Sequence, residues 1–341
     1  MPNKLIPGLA AALGIGLVSR ALSRAIVIRG ANPISEVILA IVLGLAIRSL
    51  WPQIRPVIGA GANFAMKRLL RWGIVLLGLG LSLRAVVQAG AGSLAIIVVT
   101  VAAALVVTRW LGGAVGVRAK LATLIAVGVG ICGASAIVAA APAIDADQDD
   151  VCYAVGVITV FGIIAVFAYP LIGAALALAD RQFGTWAGVA VHDTAQVIAA
   201  GFTYSEAAGQ VATVVKLTRT ALLAPLVLGL AALHRRTGGG GQRVRAAAMF
   251  PWFIVGFAAM AVARSLGDAA FLGAAAPAWA AVKHWANYAA KLLIVTAMAG
   301  VGLSTGLETF CVAGLKPMAI GLVASVLVGV ASIGLILLLG V

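Results

Sequence analysis

Residues 121–142 read LATLIAVGVGICGASAIVAAAP. As a helix, this uncharged run would extend about 33 Å at 1.5 Å per residue, enough for a hydrocarbon core of about 30 Å. It therefore predicts a membrane segment. Its middle argues against an unbroken helix. Gly128, Gly130 and Gly133 fall within six residues, Ala134, Ser135 and Ala136 follow, and Pro142 comes later. Such a stretch can unwind within the bilayer. A break there frees backbone N–H groups and places a helix N-terminus at membrane depth, where its dipole attracts anions. The same small residues would also serve close packing of a continuous helix. Gly128, Gly130 and Gly133 fit the pattern GxGxxG, but that fingerprint needs a strand and a soluble βαβ unit. Apolar flanks remove this context, and no cofactor is expected.

The rest of the chain agrees with a membrane reading. Of its 341 residues, 63% are apolar and only 10% charged, against about 45–50% and about 25% for soluble domains. The class is an all-α polytopic membrane protein, which excludes a soluble enzyme, a disulfide scaffold and a disordered chain. The net charge of +14 comes from 24 Lys and Arg against 10 Asp and Glu. In a soluble protein it would suggest nucleic acid; here cytoplasmic loops collect the positive charge, and no nucleic-acid partner is expected. Cys132, Cys152 and Cys311 are odd in number and lack metal-ligand spacing, so neither a disulfide framework nor a metal site is expected.

Apolar runs between charged or turn-rich breaks give about eleven candidate spans: 5–22, 34–50, 70–88, 93–110, 121–142, 151–172, 185–201, 209–230, 249–266, 288–306 and 316–339. No small-x-small cleavage site follows the first, which reads as a helix and not a signal peptide. With the N-terminus inside, the inner loops hold Arg55, Lys67 and Arg68, then Arg118 and Lys120, then Arg235, Arg236, Arg243 and Arg245. Asp145, Asp147, Asp149 and Asp150 fall on the opposite side. Residues 234–246 are thus expected to face the cytoplasm and 144–150 the periplasm. Arg20, Arg24 and Arg29 disagree, because this walk places them outside.

Two motifs recur. Ile47-Arg48-Ser49-Leu50 is echoed by Ala263-Arg264-Ser265-Leu266, and Gly78-Leu79-Gly80-Leu81-Ser82 by Gly300-Val301-Gly302-Leu303-Ser304. Both pairs lie seven spans apart, so the echoed helices run in opposite directions. Inverted repeats of this kind are built into many secondary transporters. One transmembrane domain over residues 1–341 is expected, with repeats at about 34–172 and 185–339 and the helix at 5–22 added. Chance similarity in so Ala- and Gly-rich a chain is the competing explanation.

Two polar clusters interrupt the apolar runs. In the first, Gly188, His192 and Gln196 are spaced to share one helical face, with Asp193 and Thr194 beside them. A histidine can relay protons near neutral pH, and Asp193 could pair with a cation or carry a proton. A helix end dipping into the interface would leave both merely solvated. In the second cluster Lys216 and Arg219 are three apart on one face. Each costs about 2.5–3.5 kcal/mol to insert centrally, so they need counter-charge or a wet cavity, with Asp193 the nearest counter-charge. Together they suit an oxyanion, Arg219 through its fork and Lys216 as a point charge. Arg84 reads as a snorkelling surface charge.

Gly130-Ile131-Cys132-Gly133-Ala134-Ser135-Ala136 resembles the GxxICGxSA segment of the YeiH-type family of bacterial inner-membrane proteins, to which sulfate export is assigned. His192-Asp193-Thr194-Ala195-Gln196-Val197-Ile198-Ala199-Ala200-Gly201 resembles that family's H[DE]xAQVVAAG stretch. Tyr169-Pro170, Val215 to Arg219 and Gly302 to Thr305 follow in the family's order, so the resemblance covers nearly the whole chain. The family is grouped with the cation/proton antiporter and bile-acid symporter superfamily. The resemblance implies inverted repeats, discontinuous crossing helices around a midplane site, and a multi-pass protein of the bacterial inner (cytoplasmic) membrane.

The expected function is secondary active export of sulfate or a related small inorganic or organic anion, coupled to protons. Gly130, Cys132, Gly133, Ser135, Gln196, Lys216 and Arg219 are expected to bind the anion, with His192 and Asp193 coupling protons. The alternative is a cation/proton antiporter that exchanges ions at Asp193 and His192. The bilayer is the expected surrounding, and a homodimer is compatible with it. An enzyme is not expected: His192, His234 and His284 form no HExxH pair, and no Walker A sequence is present.

Overall fold

The computed structural model describes residues 5–25, 35–236, 251–271, 273–305 and 314–340. All regular structure among them is helical. The helices are α1 (Ile6–Ala25), α2 (Glu36–Leu50), α3 (Arg55–Phe64), α4 (Leu70–Leu77), α5 (Leu83–Val115), α6 (Ala119–Gly130), α7 (Ala134–Ala140), α8 (Gln148–Ala175), α9 (Asp180–Ala190), α10 (Thr194–Tyr204), α11 (Glu206–Ala221), α12 (Leu223–Arg236), α13 (Trp252–Ala270), α14 (Ala276–Ser304) and α15 (Leu315–Leu339). A π-helical turn at Ala65–Leu69 joins α3 to α4, and a 3₁₀ turn at Gly78–Gly80 ends α4. Every one of the eleven apolar segments contains helix. Arg29, Arg243, Arg245 and Cys311 lie outside the described residues.

Among the described residues, seven helices are long and apolar enough to cross a membrane: α1, α5, α8, Glu206–Arg236, α13, α14 and α15. The pair Glu36–Leu50 and Pro52–Gly80, bent by 99°, raises this to eight if it forms one span. The chain divides into two compact units.

The first unit comprises Met1–Gln88 and Trp252–Leu307. Its helices cross at glycines, because without interhelical hydrophobic force in lipid the backbones gain most by close approach. A Cβ on Gly8 would lie 1.9 Å from Ile58 O, and one on Gly61 2.2 Å from Leu5 O. The helices that carry the two motifs also pack closely. A Cβ on Gly302 would lie 2.3 Å from Ile41 O, and one on Gly78 2.4 Å from Phe257 O. Ile41 and Phe257 each precede the arginine of their motif by about two turns. Arg264 Nη1 donates to Leu79 O at 3.1 Å, capping the end of α4. In this unit α2 packs against α14 and α13 against α4.

The second unit comprises Ala89–Pro251 and Glu308–Val341. Two of the eleven segments here turn back instead of crossing. α6, α7 and the 3₁₀ turn Ala141–Ala143 form hairpin 1. Its base is closed by Arg118, whose Nη2 lies 2.5 Å from Asp150 Oδ1, and by Lys120, which donates to Asp145 O. α9 and α10 form hairpin 2. Its base is closed by Tyr204 OH donating to Leu178 O at 2.5 Å and Ser205 Oγ donating to Asp180 Oδ1 at 2.7 Å. Each hairpin returns to the end from which it started. The 28-residue α8, about 42 Å long, carries the chain from one base to the other.

This corrects the eleven-crossing walk. Segments 121–142 and 185–201 have the length and apolarity of spans, but helices of 12 and 11 residues reach only about 16–18 Å, half the bilayer. The expected separation of 144–150 from 234–246 is also corrected, since His234 Nε2 lies 3.2 Å from Asp145 Oδ2. The four aspartates therefore share one end of the unit with Arg118, Lys120 and His234. Discontinuous helices are present as expected, but as opposed hairpins.

Candidate functional site at the hairpin tips

Hairpin 1 turns at Ile131-Cys132-Gly133. Gly133 adopts φ +67°, a conformation that favours glycine, and the residues of α6 from Leu121 to Gly130 are all buried. Hairpin 2 turns at Val191-His192-Asp193 because Asp193 caps α10. Its Oδ1 accepts from Ala195 N at 2.9 Å, and its own N–H donates to Gln196 Oε1 at 3.1 Å. That reciprocal capping box fixes a helix start in mid-segment. Gly162 of α8 makes room for the Gln196 amide, which a Cβ there would meet at 1.9 Å.

Breaking a helix orphans the carbonyls of its last turn. Two of those in α6 are satisfied locally: Ile131 N donates to Val127 O, and Gly133 N to Gly128 O. The others face α11. Arg219 Nε donates to Gly130 O at 2.5 Å, and its Nη2 donates to Val129 O. Lys216 Nζ donates to Ile131 O at 3.0 Å. On hairpin 2, Arg219 Nη1 donates to Val189 O and, at 3.2 Å, to Val191 O. Lys216 Nζ donates to Val191 O at 2.9 Å and to His192 O. Lys216 is 0% and Arg219 1% exposed, and all three ammonium protons have acceptors. The two cations staple both tips together and neutralise the negative ends of α6 and α9.

Expected site residues therefore separate into two layers. Lys216, Arg219, Cys132, His192 and Gln196 are buried, while Asp193 is half-buried and Ser135 exposed. Ser135 Oγ lies 3.1 Å from Cys132 Sγ and donates to Cys132 O at 3.0 Å. His192 Nε2 lies 2.7 Å from Ser325 Oγ of α15, and its Nδ1 has no partner among the described residues. The tips touch: a Cβ on Gly133 would lie 3.2 Å from Asp193 Oδ2. Gly130, Cys132, Gly133, Ser135, His192, Asp193, Lys216 and Arg219 thus converge, with Gln196 supporting them. The helix break corrects one spacing argument. Gly188 faces Val215 of α11 and shares no continuous face with His192 or Gln196. Arg84 is exposed, as expected.

Sequence reading misses Ser325 and Gly162. A lone serine or glycine in an apolar helix carries no signal of which partner it meets. It also misses the carbonyl cage, whose acceptors are backbone oxygens that any sequence supplies.

No group of three or more His, Cys, Asp or Glu that could hold a metal occurs among the described residues. Residues 7–321 match the family described as Conserved hypothetical protein 698. The chain is 38% identical over 309 residues to UPF0324 membrane protein Atu0671 of Agrobacterium fabrum, covering 89% of this chain and 84% of that one. A UPF0324 membrane protein of Clostridium tetani is 33% identical over 290 residues, 81% of each chain. UPF0324 membrane protein FN0533 of Fusobacterium nucleatum is 31% identical over 321 residues, 91% of each chain. These matches and the long apolar helices show a multi-pass membrane protein, and the chain belongs to this UPF0324 membrane-protein family, the YeiH-like family that its tip motifs resemble.

Proposed function

We propose that the protein is a secondary active transporter of the bacterial inner membrane that exports sulfate or a related small anion coupled to protons. The observation that carries this reading is the meeting of two oppositely based hairpins, at half the depth of α8, over a buried Lys–Arg pair. Hairpins of this kind place irregular backbone at membrane depth only where protein or a wet cavity satisfies it. Lys216 and Arg219 contribute two positive charges and Asp193 one negative charge, so the tip layer is net positive. The N-terminus of α10 adds to that field. The cations act on an anion through their charge, since their protons are already donated to carbonyls. Protonating Asp193 removes the one opposing charge, which gives a route by which anion and proton bind together. Resemblance supplies sulfate and the export direction. The repeats expected at about 34–172 and 185–339 fit this reading with rotated element order: α2 with α13, α4 with α14, and hairpin 1 with hairpin 2.

A second reading has one observation in its favour. Of the charged side chains at the tips, Asp193 is the accessible one, which suits a cation/proton antiporter. Proton flux in proteoliposomes separates the two, scanning sulfate, sulfite, sulfonates, carboxylates, sodium and potassium. The anion reading expects anion-dependent proton movement, and Asp193→Asn that retains anion exchange but moves no protons. Flux driven by sodium or potassium and abolished by Asp193→Asn would replace it with the cation reading.

A further inference from the structure

The Lys216 ammonium sits among three backbone carbonyl oxygens: Ile131 O from hairpin 1, and Val191 O and His192 O from hairpin 2. All three lie where α6 and α9 end, at the negative pole of a helix. The Asp193 carboxylate is beside the same junction, against Gly133. Carbonyl oxygens at interrupted helix ends are the donors that hold alkali cations in membrane proteins, replacing the hydration shell. Here a covalently tethered cation fills that place, and it is fully buried. Arg219 also meets carbonyls, but its planar fork spreads four bonds over a long edge. Only the compact ammonium has the size and geometry of a monovalent metal ion.

We propose that Lys216 is a built-in substitute for an alkali cation: the carbonyl cage is a monovalent-cation site kept filled by the side chain, so the protein works without bound sodium or potassium, and removing the ammonium opens the cage to those ions. This deepens the transport reading by assigning the charge that holds the two tips together, and its main test does not depend on transport.

The test compares the parent protein with Lys216→Ser, which empties the cage, and Lys216→Met, which fills it with an apolar chain. Thermal unfolding is followed in NaCl, KCl and choline chloride at equal ionic strength. The Ser variant should be stabilised by NaCl or KCl but not by choline, rising about 2 °C per tenfold increase in salt above the dissociation constant. The parent and the Met variant should not distinguish the ions. A Ser variant indifferent to the ion, or one that fails to fold in every salt, overturns the proposal. So does a parent protein selectively stabilised by sodium or potassium. As a second measurement, proton-coupled flux by the parent should persist with N-methylglucamine as the sole inorganic-cation replacement, and an alkali-ion requirement would overturn the proposal. Absence of flux in every buffer counts against the transport reading alone, because the melting series still decides the cage.

Discussion

The two hairpins reach the same point by different chemistry. Hairpin 1 is tied at its base by the ion pairs of Arg118 with Asp150 and, at 3.8 Å, Asp147, beside a contact of His234 Nε2 with Asp145. Hairpin 2 is tied by a ring pair, the buried Phe183 stacked on the half-buried Tyr204 at 3.9 Å between centroids and 9° between planes, with Tyr204 OH bonded to Leu178 O. Asp150 is buried, so its pair with Arg118 is shielded on one side. The contacts of Asp147 and Asp145 are exposed, and exposed pairs contribute about 0–1 kcal/mol and are screened by salt. A stacked aromatic pair adds about 0.5–1.5 kcal/mol beyond the area it buries, with little salt dependence. The tips differ in the same sense. Gly133 relies on backbone freedom, whereas Asp193 and Gln196 form a hydrogen-bonded cap. Hairpin 1 is therefore held mainly by charge and hairpin 2 by ring packing and a hydrogen-bonded cap.

The largest expected effect is all-or-none and tests whether the bases lie at opposite ends. In a cysteine-free background, Asp149→Cys and Arg235→Cys should label with an impermeant reagent from one face of the membrane, and Arg181→Cys from the other. Labelling of the first two from opposite faces restores the eleven-crossing walk and removes hairpin 1.

Next in size is the shared staple. Lys216→Gln or Arg219→Gln leaves several buried carbonyls short of donors, each costing about 1–3 kcal/mol. Either variant should lose about 3–5 kcal/mol of stability, read as a lower unfolding midpoint in detergent. A variant as stable as the parent would mean that the tips stand without the cations.

Smaller effects separate the tips. Gly133→Ala forces a side chain into φ +67° and against Asp193, at a cost of about 1–3 kcal/mol. It should also slow any flux, whereas Thr194→Ser should be nearly silent in both unfolding and flux measurements. The smallest effect lies at the bases. With Cys132 the sole cysteine, Asp147→Asn or raised salt, which weakens the exposed contacts, should speed its alkylation by up to about fivefold, the equivalent of about 1 kcal/mol. Tyr204→Phe should leave that rate unchanged. Equal acceleration by both would erase the proposed difference between the hairpins.

Much of this was legible from residues. The helix break follows from Gly128, Gly130 and Gly133, and the second interruption from the polar run His192-Asp193-Thr194. The direction of the chain after each break was not legible, because a hairpin of two half-helices and one crossing helix have the same length and apolarity. That ambiguity carried Asp145 to Asp150 to the wrong side. The partners of Lys216 and Arg219 were hidden for another reason. The sequence calls for counter-charge or a wet cavity, with Asp193 nearest, but orphaned backbone carbonyls answer the charge and leave no trace in composition.

The staple also has a consequence for how the protein is made. The carbonyl of Ile131 reaches its final depth only when something donates to it, and its donor is Lys216, on a helix synthesised later. At about 5–20 residues per second, a ribosome needs roughly 4–17 s to bring that lysine out after Ile131. Until then hairpin 1 must lie against water or the insertion machinery. A nascent chain ending before α11 should leave both hairpins open to protease, and one extended just past Arg219 should protect them.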